Sequence, residues 1–251
     1  MNDPFMTYAG SPRLGAVTAS EKAHALLDGI RKLDDEWARA IGGLGEPELR
    51  APSALPGWSR AHVLSHVARN ADGLRNLLTW ANTGVETPMY AGAEAREADI
   101  EAGAQRGAAD ILADFVASAA RFEEYAGAMP DAAWAREARN RQGAPVTGAV
   151  VARMRLSELT IHLADLDRGY DLDRILGLLG PLTEDVVQHA ITSRSAHLPA
   201  LRLAGGGFEW TMGAAPGATV TGSGGELLAW LSGRSDGSAL DGDVPPIPAW
   251  S

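Results

Sequence analysis

Apolar residues recur at helical spacing in four long stretches of this sequence. In the first, Ser20 reads as an N-cap, and Leu26, Leu27, Ile30, Leu33, Trp37 and Ile41 form a stripe that Gly42 and Gly43 end. Ser59 caps a second helix reaching about Asn82, where His66, Asn70, Gly73 and Leu77 share one face with Val63, Val67 and Leu74 beside it. Gly73 leaves room there for a neighbouring helix or a ligand. A third helix is predicted over roughly 93–128 on Ile111, Leu112, Phe115, Ala119 and Phe122, with Pro130 after its end. The fourth begins near Pro145–Thr147 and stops near Gly169. Four such helices with connections of moderate length predict a four-helix bundle.

The fourth helix carries an unusual pattern. Arg155, Glu158, His162 and Asp165 fall on one stripe, because offsets of three and four stack on one helix face. Leu156, Leu159, Leu163 and Leu166 lie on one side of the stripe, and Met154 and Ile161 on the other. Arg153, Ser157, Thr160 and Asp167 are left for a solvated face. The titratable stripe thus sits inside the apolar arc, where charge is costly unless it is paired or bound to a metal. Glu158 and His162, one turn apart, suit a shared metal ion; they equally suit a buried hydrogen-bonded pair. His66 on the second helix shifts that balance toward a metal, because bundle cores are where facing helices build such sites. Taken alone, His66 reads as a satisfied core histidine.

Beyond residue 171 the pattern changes. One more helix is predicted from Leu176 to about Ser195. Short alternating runs follow at Leu201–Leu203, Phe208–Met212 and Ala218–Thr221, separated by glycines, then a short helix over Gly225–Leu231. The expected organisation is a loose arm over 1–18, a mainly α bundle over 19–171, and a small α+β domain over 172–251.

With 45% hydrophobic and 22% charged residues, the composition is that of an ordinary soluble globular protein. A net charge of −10 argues against nucleic acid or an anionic membrane as partner. No run approaches a membrane span, and the start, with Asp3 and Pro4, lacks the pattern of a signal peptide, so a cytoplasmic location is expected. No feature sets an oligomeric state, and a monomer is compatible with the sequence. The chain has no cysteine, so any thiol chemistry needs a thiol from outside.

Several segments together carry a family resemblance. They are Gly57-Trp58-Ser59-Arg60 leading to Ser65-His66-Val67-Ala68 and Asn70-Ala71; Trp80-Ala81-Asn82-Thr83-Gly84 with Glu86-Thr87-Pro88-Met89-Tyr90; Met154-Arg155 with Glu158, Ile161, His162 and Asp165-Leu166; and Gly233-Arg234-Ser235-Asp236-Gly237. The chain resembles the mycothiol-dependent maleylpyruvate isomerases, within the DinB-like metal-binding helix-bundle superfamily. The His66…Glu158…His162 pattern marks only the superfamily, whereas the Trp80–Tyr90 segment is more specific to the isomerases. The arm before residue 18 carries no motif of the family.

The resemblance implies a zinc site from His66, Glu158 and His162, mycothiol as the thiol cofactor, and a family arginine from the second domain, here Arg234, acting at the active site. His62 falls on a family position not known as a ligand. Three protein ligands leave a fourth tetrahedral position open, and a thiol bound there should ionise near neutral pH. The implied reaction is isomerisation of maleylpyruvate to fumarylpyruvate, in gentisate-type aromatic degradation. Thiolate adds to the alkene, the resulting single bond rotates in an enolate intermediate, and the thiolate leaves. Arg234 would grip a substrate carboxylate or stabilise the enolate oxygen; without the resemblance it reads as a solvated surface arginine. Asp165 is placed to orient a ligand, or to form an ordinary helix-end salt bridge. Two other classes stay open: a mycothiol S-transferase using the same zinc thiolate, and a non-catalytic metal-binding bundle.

Overall fold

The computed structural model describes residues 6–8, 17–213 and 217–248. The chain divides into two compact units, Val17–Tyr170 and Asp171–Ser251, the latter joined by the N-terminal segment that contains strand β1 (Met6–Tyr8).

The larger unit is helical. Helix α1 (Ala19–Ile41) is capped by Thr18, not Ser20. Thr18 Oγ1 accepts from the Glu21 N–H at 3.2 Å while the Glu21 carboxylate accepts from the Thr18 N–H at 2.8 Å, so two orphan donors are satisfied together. Ser20 turns instead to the Asp131 carboxylate, 2.6 Å away. A short α2 (Glu46–Arg50) leads to α3 (Arg60–Thr83), which Ser59 caps as expected and Gly84, at φ 74°, ends.

The single helix expected over 93–128 is two helices, α4 (Ala93–Ala104) and α5 (Ala108–Gly127). The break falls at Gln105–Gly107, and α2 fills it. The Arg50 guanidinium takes the carbonyls of Ala104 and Arg106, and Glu46 accepts from the Ala108 N–H at 2.8 Å. Helix ends that need partners are therefore served by side chains far away in sequence. A small hairpin, β2 (Glu137–Arg139) and β3 (Pro145–Thr147), precedes α6 (Gly148–Asp165).

Helices α1, α3, α5 and α6 form the four-helix bundle. Its core brings together Leu26, Ile30 and Trp37 of α1, Val67 and Leu74 of α3, Phe115 and Phe122 of α5, and Leu156, Leu159 and Leu163 of α6, all buried. The Trp37 indole N–H donates to the Leu159 carbonyl at 3.1 Å. Helix α6 lies at the centre of the unit, which corrects the solvated face assigned to Ser157 and Thr160: both are buried. The Thr160 hydroxyl is satisfied within the helix by the Leu156 carbonyl at 2.8 Å.

The smaller unit is α+β. The helix expected over 176–195 is broken at Gly180 and Pro181 into α7 (Leu172–Leu179) and α8 (Thr183–Arg194), because Gly180 adopts φ 56° and proline cannot donate to a continuing helix. Strands β4 (Leu201–Gly205), β5 (Phe208–Met212) and β6 (Ala218–Gly222), helix α9 (Gly224–Leu231) and strand β7 (Asp241–Gly242) follow. The sheet order is β1-β5-β4-β6-β7, with β4 and β6 parallel and the other pairs antiparallel. Gly206 and Gly207, both at positive φ, make the tight turn between β4 and β5. The pairing of Met6–Tyr8 with β5 was not anticipated by the reading of a loose arm over 1–18, since three residues are too few to show a period. The rest of that arm up to residue 16 lies outside the described residues.

Candidate metal centre

Helix α3 brings His66 and α6 brings Glu158 and His162 to one point. His66 Nε2 lies 3.0 Å from Glu158 Oε2 and 2.9 Å from His162 Nε2, and His162 Nε2 lies 3.4 Å from the same Glu158 oxygen. A tetrahedral site with bonds of about 2.0–2.1 Å has edges of about 3.3 Å, so these separations match three corners of one. Among the described residues, these three form the group of His, Asp and Glu donors able to hold a metal ion. His66 is buried, and Glu158 keeps a third of its side chain exposed, so the cluster has a face open to ligands.

The surroundings orient the donors. Asp165 Oδ2 lies 2.8 Å from His162 Nδ1, and Asp165 is itself buried. A carboxylate beside the far nitrogen favours the proton there, which leaves Nε2 to present its lone pair. The Trp58 ring packs against His66, with centroids 5.6 Å apart. Met89 and Tyr90, from the loop before α4, close over Gly73: a Cβ on that glycine would lie 2.9 Å from Met89 atoms and 3.1 Å from Tyr90. The small residue noted in the sequence is thus where this loop docks.

The electrostatics follow from burial and proximity. Burial, then the neighbouring His162, pushes His66 down to about 4, so the ring is neutral and able to ligate. Burial would raise the Glu158 carboxyl, but hydrogen bonds and charge from His162 and His66 outweigh it and hold the group well below the usual carboxylate range. Burial would lower His162, yet the Asp165 and Glu158 carboxylates prevail and raise it. Burial, then the nearby Glu158 charge, pushes the Tyr90 hydroxyl up to about 12. A divalent cation would replace the protons that now hold this cluster together, and two histidines and one carboxylate are a donor set that suits zinc.

His62 is absent from the cluster. Its Nδ1 lies 2.7 Å from Ser59 Oγ and its Nε2 lies 3.1 Å from Glu101, so it serves the start of α3. Arg234 lies in the other unit, just after α9. Its N–H reaches the Ala229 carbonyl at 2.7 Å and the Gly233 N–H reaches Trp230 at 3.0 Å, the paired bonds of a glycine-ended helix. The Arg234 guanidinium donates to the Ser232 carbonyl at 2.6 Å.

One residue at the site escaped the sequence reading. Arg96 of α4 places Nη2 3.2 Å from His66 Nδ1 and holds its guanidinium 5.8 Å from the Tyr90 ring centroid. Arg96, Ile100 and Gly103 recur at offsets of four and three, and that face packs on α3: the Ser65 hydroxyl donates to the Ile100 carbonyl at 2.8 Å, and Gly103 lets the two backbones approach. The signal lay in an arginine on the helix face that carries Ile100, hidden because 93–128 reads as one helix with a stripe starting at Ile111.

A four-helix bundle in which two histidines and a glutamate converge from two helices has the fold of a DinB-like bundle, with a group of donors able to hold a metal ion. By its sequence the chain belongs to the family described as the mycothiol maleylpyruvate isomerase N-terminal domain, whose model matches residues 30–167, more than half of the chain. Among solved structures, the crystal structure of the mycothiol-dependent maleylpyruvate isomerase is similar with a TM-score of 0.75 and 27% identity over 92% of this chain and 97% of that one. A histidine-to-alanine mutant of that isomerase is similar to the same extent, with a TM-score of 0.74. No curated protein sequence matches the chain. Among the described residues, no helix is long and apolar enough to cross a membrane.

Proposed function

We propose that this chain is a mycothiol-dependent maleylpyruvate isomerase, using zinc held by His66, Glu158 and His162 to convert maleylpyruvate to fumarylpyruvate. The observation that carries the reading is the convergence of those three donors inside the segment that matches the isomerase family. Zinc there would supply a positive site at which an external thiol is held ionised, ready to add to and leave the alkene, a sulfur this cysteine-free chain cannot provide.

The chain's own residues do the rest. His66 and His162 present neutral nitrogens, and Glu158 supplies the anionic donor. Asp165 holds His162 in the ligating orientation. Trp58 packs against the His66 ring, and Met89 and Tyr90 hold the loop before α4 against Gly73 of the helix that carries His66. Arg234 is the catalytic residue of this proposal. It gives the dianionic substrate a cation, because the zinc charge is partly offset by Glu158 and the thiolate, and it stabilises negative charge developing on the enolate oxygen. A cytoplasmic site of action is part of the same proposal.

The test is purified zinc-loaded protein with maleylpyruvate, with and without mycothiol, following loss of the cis enone absorbance. Turnover is expected only with the thiol. Arg234→Ala should keep zinc and lose about a hundredfold in kcat/KM, the size of one charge-assisted contact made in the transition state, with Arg234→Lys recovering part. Full-rate turnover without thiol would overturn the proposal. Product that keeps the thiol as a stable thioether would mean a mycothiol S-transferase.

A further inference from the structure

Arg96 has no assigned part in the scheme above, yet its guanidinium touches His66. We propose that Arg96 is a substrate-binding residue of the helical unit, gripping a carboxylate of the substrate beside the metal centre. The inference rests on the isomerase reading for the identity of the substrate, and on the geometry of α4 for the residue.

Arg96 is part-buried and approaches His66 Nδ1 at 3.2 Å. Guanidinium has only donors, so in this arrangement Nδ1 of His66 is the acceptor and the ring proton sits on Nε2. A metal at Nε2 reverses that: the neutral ring then carries its proton on Nδ1, and Arg96 and Nδ1 are both donors. Among the described residues, Arg96 then keeps the exposed Glu97 next to it in sequence and the Tyr90 hydroxyl as oxygen partners, while Nη2, the nitrogen that faces His66, is released toward the centre. The Tyr90 ring still holds the guanidinium from one side, at 5.8 Å, and the packing of Ile100 and Gly103 on α3 fixes the helix that carries it.

The other arginines near the cluster are less suited. Arg155 is fully buried, with its guanidinium committed to the Val67 carbonyl at 2.9 Å and to Asn70 at 3.3 Å. Arg141 is exposed and is the weakest of the charges acting on Tyr90. An arginine that keeps its charge in a part-buried place and can grip a carboxylate with two parallel bonds is the group a dianionic substrate needs.

The experiment uses the full-length zinc-loaded protein and, as probe, maleate, a short dicarboxylate, titrated calorimetrically without thiol. Wild type should bind maleate. Arg96→Ala should weaken that binding, and raise KM for maleylpyruvate, by at least roughly tenfold, with zinc content and KM for mycothiol unchanged. Arg96→Lys should recover part of both. Maleate binding that is unchanged in Arg96→Ala, or absent in wild type, would overturn the inference, as would loss of zinc from Arg96→Ala, which would make the residue a prop for His66. If wild type binds maleate through Arg96 but turns over no maleylpyruvate, the isomerase reading fails while the anion site stands.

Discussion

Replacing His66 by alanine should empty the metal site and abolish turnover while leaving the bundle folded. His66 comes from α3 and the other two donors from α6, so its loss leaves Glu158 and His162 on one helix with nothing facing them. Two donors from a single helix turn cannot enclose an ion, and zinc content is expected to fall to background. The metal is asked to supply several kcal/mol of charge stabilisation, so activity should drop by ~10³-fold or more. His162→Ala should behave alike. Asp165→Asn should be milder, weakening zinc binding by roughly 10–100-fold, because it removes the group that orients His162 and keeps all three ligands. Metal analysis of the purified variants beside circular dichroism checks the series. Full zinc occupancy in His66→Ala would mean that the three donors are a hydrogen-bonded cluster and that the ion, if any, sits elsewhere.

Much of this centre was legible in the sequence because helical periodicity is strict: Arg155, Glu158, His162 and Asp165 had to share a face, and His66 shared a face of another helix with Asn70, Gly73 and Leu77. What periodicity could not show was which helix is central. Ser157 and Thr160 read as solvated because hydroxyl residues usually are, yet α6 is covered on that side too, and the Thr160 hydroxyl, which bonds its own helix backbone, tolerates burial. The break after α4 was invisible for a related reason. Its carbonyls are satisfied by Arg50, more than fifty residues earlier, so no local stop signal was needed. Joining α4 to α5 then buried the one face that held Arg96. Strands of three residues, as in β1, β2 and β3, carry too little pattern to be read at all.

The second large effect is expected at Arg155, and it concerns stability. Its side chain is fully buried among α1, α3, α5 and α6, with the guanidinium bonded to the Val67 carbonyl and Asn70 and lying 5.8 Å from the Phe122 ring centroid. The opposing charge that acts on it most strongly is Asp34 of α1. Burial, opposed by Arg155, pushes the Asp34 carboxyl up to about 6 from an ordinary 3.8. The folded state therefore binds the Asp34 proton more tightly than the unfolded chain does. The contribution of this group to stability is fully present below about pH 4 and is lost as pH rises through about 6, on the order of 3 kcal/mol in all. Asp34→Asn should flatten that fall. Arg155→Leu should destabilise the protein by about 3–5 kcal/mol near neutral pH, because it removes the positive charge that offsets the burial of Asp34 and takes the guanidinium away from the Val67 carbonyl and Asn70. The double variant, Arg155→Leu with Asp34→Asn, should recover part of that loss, since the carboxyl that the guanidinium offsets is then gone. A double-mutant cycle of urea denaturation, run at pH 4 and pH 7, measures all of this. Arg155→Leu within about 1 kcal/mol of wild type at both pH values would show that the leucine packs as well as the buried cation, and that Asp34 finds its partner in water.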